Sequence, residues 1–371
     1  MDFPGEKLVI KLWETLAEKG IGSLLSPWQV GREGKARNEI RRQEILMLAQ
    51  AESDACDIRS GRKQLRSDGT LLLTNSSSVT FAVPDGKVEP VLDLPRAIEC
   101  GMRTAVADAA RSEVNAAKAV IFAEEQLASE AQDPPERKVD EDWLFIWREH
   151  AGKVSAEDLQ RLWGSVLAGE VKAPGKYSIR TLEFLKTLSK QEAELISKLA
   201  SFVIDGRIAR AQAGYLETHG LSFSVLLRIQ ELGVLSGVEA TGLSTEYKAG
   251  LEGKFFLPLV SHGKVLIVEH TDPSKVLALK VFKLTEIGRQ VLGLGSFEPD
   301  VEYMRLVGKS FLSQGFSVKL ANWRQISETQ GEYDNFEEIV ADQPHTESDA
   351  PIEGATQQQG VAPLQVGVGY R

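Results

Sequence analysis

The residues of this chain that could hold a metal ion form two short Glu-x-Lys patterns. Glu246 and Lys248 form the first, and Glu252 and Lys254 form the second. Metal-dependent nucleases use such a pattern beside an aspartate to bind Mg²⁺ and to orient a water molecule. Here no upstream strand ends in an aspartate, and the pattern arises by chance in charged chains. We therefore favour a polar loop over a nuclease site.

The motifs of common nucleotide, zinc and hydrolase sites are missing from the sequence. It contains no G-x-x-x-x-G-K-[ST], no C-x-x-C, no H-E-x-x-H and no G-x-S-x-G. Of five histidines, only His262 and His270 fall on one predicted hairpin, without sulfur or carboxylate ligands at zinc spacing. We expect no metal and no cofactor. The sequence favours a protein that is not an enzyme. The question stays open, because a catalytic site built from residues far apart in the chain leaves no local pattern.

Three arginines are the candidates for a contact with DNA. Arg207 and Arg210 precede a predicted recognition helix, and Arg228 lies within it beside Glu231, which offsets its charge. Specific DNA complexes usually need several phosphate contacts from lysine or arginine. With so few basic residues, DNA binding is the alternative and contact with a protein partner is the favoured interpretation.

Composition and charge indicate a globular protein with an acidic end. The chain has 371 residues, 42% of them hydrophobic, and a net charge of −10. Two basic and nine acidic residues after position 323 contribute −7 of this charge. No apolar run reaches the ~18 residues of a membrane span, and no secretory signal pattern is present. Because the two cysteines also suit a reducing compartment, we expect a cytoplasmic protein.

The first domain, residues 1–135, is predicted to be an amphipathic helix followed by a long helical hairpin. The helix at residues 6–25 is expected to pack on the protein itself, with a membrane surface as the alternative. The hairpin arms, residues 32–58 and 96–131, carry small and apolar residues at steps of three and four. This pattern predicts that the arms pack together and also allows a homo-oligomer.

Two details of the hairpin can be checked in the structure. Ala109 and Ala116 are expected on the buried seam between the arms. The Ser-rich insertion between the arms contains two predicted strands, residues 71–73 and 79–83.

A block of short helices is predicted for residues 136–205. Ser189 and Glu192 form a capping box at the start of one helix. The block also contains tryptophans at helical spacing, which indicates core more than a ligand-binding box. Glu170 and Arg180 flank a Pro-Gly turn and are expected to pair across it. The signature residues of the block are Trp143, Trp163, Gly164, Glu170, Pro174, Gly175 and Arg180.

The last two segments are a predicted winged-helix-like domain, residues 206–323, and a disordered acidic tail, residues 324–371. A helix, a hairpin with its turn at His262 and Gly263, a third strand and a further helix follow one another in winged-helix order. The tail is rich in Gln, Glu, Asp, Pro and Gly and poor in apolar residues, which is typical of disorder. The predicted fold class is therefore mainly α, with a winged-helix-like α+β domain and a disordered tail.

The central block resembles a known but uncharacterised family. The residues that carry the likeness are Asp142-Trp143, residues 159–171, Pro174-Gly175, residues 178–182 and Leu188-Ser189. They resemble the bacterial domain-of-unknown-function family numbered twenty-eight-oh-six, over about residues 5–320. This sequence differs most from the family pattern at residues 71–83. It implies no reaction, cofactor or catalytic residue.

A looser likeness is to abortive-infection proteins of the alpha type, which act in phage defence. It depends on residues 162–168 and 188–193, which match an L-W-x-x-L-L-A-like helix and an L-S-x-x-E-A helix. The function expected from the sequence is a non-enzymatic interaction or sensor protein of bacteria, in phage defence or another mobile-element setting. A winged-helix DNA-binding transcriptional regulator is the alternative.

Overall fold

The computed structural model describes residues 4–18, 37–66, 69–73, 94–239, 243–249, 253–326, 330–341 and 360–363. The chain divides into two compact units, Met1–Lys186 and Thr187–Arg371. The finer division into four segments stays a prediction. Among the described residues, none of the helices is long and apolar enough to cross a membrane.

The predicted mainly α class is wrong. Of the described residues, 52% are helical and 21% lie in strands, which form three antiparallel sheets. The strand content was underestimated because several strands have only two or three residues, too few to show the alternation that identifies a strand. The chain is therefore a mixed α and β protein.

The described part of the first unit contains six helices and a small hairpin. Its elements are α1 Glu6–Glu18, α2 Arg37–Arg59, β1 Lys63–Leu65, β2 Leu71–Leu73, α3 Leu94–Ala128, α4 Glu141–Gly152, α5 Glu157–Lys172 and α6 Ile179–Thr187. The predicted strand at residues 71–73 is β2, and it pairs with β1. Residues 79–83 lie outside the described residues.

The long helices α2 and α3 run antiparallel and are joined by ion pairs along their length. Lys118 of α3 bonds Glu52 of α2 at 2.8 Å, and Arg59 near the end of α2 pairs with Asp108. The amphipathic α1 also packs within this unit, because its apolar residues Leu8, Leu12 and Leu16 are buried. Helix α3 is thus the central element of the first unit.

The second unit combines short helices with two larger sheets. Its helices are α7 Lys190–Ala200, α8 Ala213–Thr218, α9 Phe223–Glu231, α10 Glu286–Leu292 and α11 Val301–Leu312. Its strands are β3 Arg207–Ala209, β4 Leu235–Ser236, β5 Leu243–Tyr247, β6 Phe255–Ser261, β7 Lys264–His270, β8 Leu277–Leu284, β9 Ser317–Gln325, β10 Gln330–Glu338 and β11 Gly360–Pro363. One sheet has the order β11-β10-β9-β7-β6; in the other, β8 pairs with β3, β4 and β5.

The structure does not confirm the winged-helix domain. The predicted hairpin exists as β6 and β7, and its turn at His262 and Gly263 has positive φ at both residues. However, β7 pairs with β9, whereas the strand β8 belongs to the other sheet. The predicted helix, hairpin, third strand and final helix are present, but the prediction missed β3, β4 and β5. Strand partners depend on contacts between distant residues, which local patterns do not encode.

The prediction of a disordered tail over residues 324–371 is wrong for residues 330–338 and 360–363, which form strands, whereas residues 342–359 and 364–371 lie outside the described residues. Strand β10 pairs along the edge of β9, and β11 pairs with β10. The low apolar content of β10 had suggested disorder, but an edge strand needs only a few apolar contacts beyond its backbone hydrogen bonds. Here Gly331 lies under the ring of Trp323, and Ile339, just after β10, is buried against Gly308 of α11.

Candidate interaction surface

The tryptophans of the central block are buried and use their indole N–H groups to bond backbone carbonyls. Trp143 donates to the Tyr177 carbonyl at 2.7 Å, and Trp147 donates to the Trp163 carbonyl at 2.9 Å. All three tryptophan side chains lie in the core of the first unit. They stabilise the contact between α4 and its neighbours, which is a structural role.

Glycine at two positions of α5 allows close contact with neighbouring elements. A Cβ atom at Gly164 would lie 2.7 Å from the Phe122 Cβ and 2.8 Å from the Ala119 carbonyl oxygen of α3. A Cβ atom at Gly169 would lie 2.6 Å from the ring of Tyr177. The glycines therefore let α5 lie directly against α3 and against the turn that follows α5.

Glu170 fixes the turn after α5 from a buried position. Its carboxylate accepts hydrogen bonds from the backbone N–H of Gly175, at 2.5 Å, and of Tyr177, at 3.0 Å. Gly175 has a φ of 92°, which suits glycine. The positive charge of Arg137 lowers the pKa of Glu170, whereas Arg180 is exposed. Glu170 thus stabilises the Pro174-Gly175 turn as expected, but through backbone groups of the turn.

Replacing Glu170 by alanine should lower the free energy of unfolding by about 3 kcal/mol. The buried N–H group of Tyr177 and the partly buried N–H group of Gly175 would lose their acceptor, and a cavity would form. Glu170→Gln is the matched control and should cost less, since the amide oxygen can still accept one bond. Urea denaturation of both variants measures the difference, and equal stability of Glu170→Ala and the wild type would contradict this role.

The buried carboxyl group of Glu170 should also make the stability of the protein depend on pH. Burial raises the pKa of the Glu170 carboxyl, and the N–H groups of Gly175 and Tyr177 oppose this rise only in part. The folded state then binds the proton more tightly than the unfolded state. The contribution to stability is therefore largest below the unfolded pKa and falls as the pH rises through the folded pKa. Glu170→Gln should flatten this part of the profile of stability against pH.

The three candidate DNA-contacting arginines each have a partner within the second unit. Arg207 pairs with Asp205 and lies over the ring of Tyr247. Arg210 lies 5.7 Å from the ring centre of Phe282. Arg228 of α9 has its guanidinium 3.9 Å from the Glu192 carboxylate. The carboxylates of Asp205 and Glu192 thus offset part of the positive charge of Arg207 and Arg228.

A shallow concavity of 420 Å³ in the second unit gathers several titratable side chains. His219 stacks on Tyr215 at 4.2 Å, and its Nδ1 bonds the Tyr215 carbonyl at 2.9 Å. The Tyr215 hydroxyl donates to Asp300, the N-cap of α11. These bonds connect the ends of α8 and α11. They make no nucleophile–base pair among the described residues of the concavity.

The predicted seam of α3 is only half buried. Ala116 is 6% exposed, but Ala109 and the residues before it on the same face are exposed. We call this surface the uncovered face of α3, because the described part of the chain leaves it exposed. It consists of Leu94, Ala97, Ile98, Gly101, Met102, Ala105 and Ala109. The expectation that Ala109 is buried is wrong, because α2 already ends at Arg59, opposite Asp108, and α3 extends beyond it.

The β1–β2 hairpin carries further exposed leucines, which lie on both of its faces. It lies beside the first turns of α3, where the Gln64 amide donates to the Glu99 carboxylate at 3.3 Å. Leu73 is 78% exposed and Met102 is 67% exposed. Leu65, Leu71 and Leu72 are exposed as well. The sequence analysis identified the apolar stripe on α3 but not its exposure. The stripe on α3 is longer than the stripe on α2, and this difference in length could have indicated that part of it lacks a partner on α2.

The helices and antiparallel sheets of the two units define a mixed α and β protein. Residues 102–210 match the sequence model of a family described as "Protein of unknown function (DUF2806)". The predicted resemblance to this family is thereby confirmed, over a shorter range than residues 5–320. No match was found among curated proteins or among solved structures.

Proposed function

We propose that the protein is a non-enzymatic interaction protein of the bacterial cytoplasm, which acts in phage defence or another mobile-element setting. The observation that carries the proposal is the uncovered face of α3 together with the exposed leucines of β1–β2. Apolar side chains in water are unfavourable, and a continuous apolar surface on a soluble protein marks a site of contact with another macromolecule.

The residues singled out for chemistry have structural contacts where the structure describes them. Glu170 bonds backbone N–H groups, and Trp143 and Trp163 are packed in the core. Glu246 lies in β5, while Glu252 lies outside the described residues. A site for turnover of a substrate would need free functional groups that converge on one point.

The alternative is a DNA-binding regulator. It would require Arg207 and Arg228 to exchange Asp205 and Glu192 for phosphate groups. Each exchange loses an existing ion pair, so the gain in affinity from either arginine is reduced. The interaction protein is for this reason the leading proposal.

Phage plating on cells that carry the gene and its neighbours tests the proposal. The wild type should lower plaque counts, and the double variant Ile98→Glu, Met102→Glu should restore them, because the charges would prevent apolar contact. The matched control is Phe145→Glu, Leu159→Glu, which alters two other exposed apolar residues on helices of the same unit. It should behave as the wild type.

A DNA-binding assay across a salt series distinguishes the interaction protein from the DNA-binding regulator. The interaction protein should bind DNA weakly and without sequence preference. Unchanged plaque counts over a broad phage panel would contradict the proposal if combined with sequence-specific DNA binding. That binding should weaken steeply with salt and be lost on replacing Arg207, Arg210 and Arg228 by alanine.

A further inference from the structure

We infer that the outer edge of β10 is a binding site for an extended peptide segment of another protein, and that β11 occupies this site in the free chain. The edge belongs to the five-stranded sheet of the second unit. It is not part of the uncovered face of α3, and its use as a binding site does not depend on a role in phage defence.

Strand β10 is held in the sheet without help from β11. It pairs with β9 over residues Gly331 to Glu338, with one irregularity. Its Tyr333 and Phe336 also pack on the apolar cluster that contains Trp323. The edge of β10 therefore keeps its strand conformation when β11 leaves it.

Strand β11 is a short strand at the end of a long loop. It has four residues, and in the described part of the chain it pairs with no strand other than β10. Residues 339–359 separate it from β10. Docking of β11 must order its backbone and close this loop, and both steps cost conformational entropy. A free strand edge is a template for another extended segment, so a competing segment can replace β11.

The residues of β10 define which segments fit its edge. Gly331 and Tyr333 lie on the same face of the sheet, where the ring of Trp323 already lies against Gly331. The residues of β11 in register with Gly331 and Tyr333 are Ala362 and Gly360. Both are small, which suits a face that aromatic rings already occupy. The fitting partner is thus an extended segment that runs antiparallel to β10 and has small residues at two alternate positions.

Fluorescence anisotropy of a labelled peptide with the sequence of residues 358–365 tests the inference on the full chain. Val361→Pro, Ala362→Pro should release β11, because successive N–H groups of a strand point to opposite sides and one of the two removed must point towards β10. This double-proline variant should bind the peptide about tenfold more tightly than the wild type, in which the tethered β11 competes. A peptide with leucine in place of Gly360 and Ala362 is the matched control and should not bind.

A disulfide supplies a second readout that keeps β11 in place. Glu332 and Val361 lie opposite each other in the register of β10 and β11. Glu332→Cys, Val361→Cys, with Cys56 and Cys100 replaced by serine, should form a disulfide within one chain on mild oxidation. The oxidised chain should not bind the peptide, and reduction should restore the weaker binding of the wild type.

Three results would overturn the inference. The first is equal binding of the peptide by the wild type and a folded double-proline variant. The second is an oxidised Glu332→Cys, Val361→Cys chain that binds the peptide as the reduced chain does, and this comparison decides alone if the double-proline variant does not fold. The third is a disulfide that links two chains, since the occupant of the edge would then be β11 of a second copy. Plaque counts are measured separately, so the proposed function can fail or stand independently of these results.

Discussion

A chain that ends at Glu328 is expected to lose the fold of its second unit. The deletion removes β10, which pairs with β9 along the edge of the five-stranded sheet. It also uncovers Trp323, whose ring lies against Gly331, and removes Ile339 from its contact with Gly308.

The expected loss is large compared with the stability of a domain. Burial of one large apolar side chain contributes about 1.5–3 kcal/mol, and Tyr333 and Phe336 of β10 pack on the same cluster as Trp323. Together these contacts amount to more than about 5 kcal/mol, the lower end of a typical free energy of unfolding. Differential scanning calorimetry should show the loss of a cooperative transition.

The matched control is a chain that ends at Pro363. It retains β10 and its partner β11 and removes only residues 364–371. We expect its melting temperature to stay within about 2 °C of that of the full chain. A chain ending at Glu328 that melts with the full chain would show that β10 does not contribute to the fold.

Substitution of Gly164 by leucine should prevent the first unit from folding. The Cβ atom alone would lie 2.7 Å from Phe122 and 2.8 Å from the Ala119 carbonyl oxygen, and the latter belongs to the backbone of α3 and cannot move away by itself. Even Gly164→Ala should lower the free energy of unfolding by about 2–3 kcal/mol, because α5 must shift from α3. Chemical denaturation followed by tryptophan fluorescence measures this, since Trp163 is adjacent.

Gly214→Ala provides the control for the loss of a helical glycine. A Cβ atom at Gly214 in α8 would meet nothing within 4 Å. This substitution should therefore be neutral or stabilise by up to about 1 kcal/mol, as expected from helix propensity. If Gly164→Ala were as stable as Gly214→Ala, the close contact between α5 and α3 would be wrong.

Features that depend on residues close in the chain were predicted well. Ser189 and Glu192 form the predicted capping box, in which each side chain bonds the backbone N–H of the other residue. The Thr285 hydroxyl accepts a hydrogen bond from the backbone N–H of Gly288 and so caps α10. Ser222, in contrast, makes no side-chain capping bond at the start of α9. A helix can therefore begin at a residue of the capping type although the side chain of that residue makes no capping hydrogen bond.

The sequence by itself determined most helices, the β6–β7 hairpin and the turn at Gly175, because each depends on backbone preferences and contacts within a few residues. It also carried the family resemblance of the central block. Only the tertiary structure decided that β7 pairs with β9, that β10 joins the sheet, and that the stripe of α3 is buried at Ala116 and exposed at Ala109. The physical reason is that burial of a side chain and pairing of a strand depend on what distant segments bring to the same place. The same apolar stripe therefore forms core along one half of α3 and is exposed along the other.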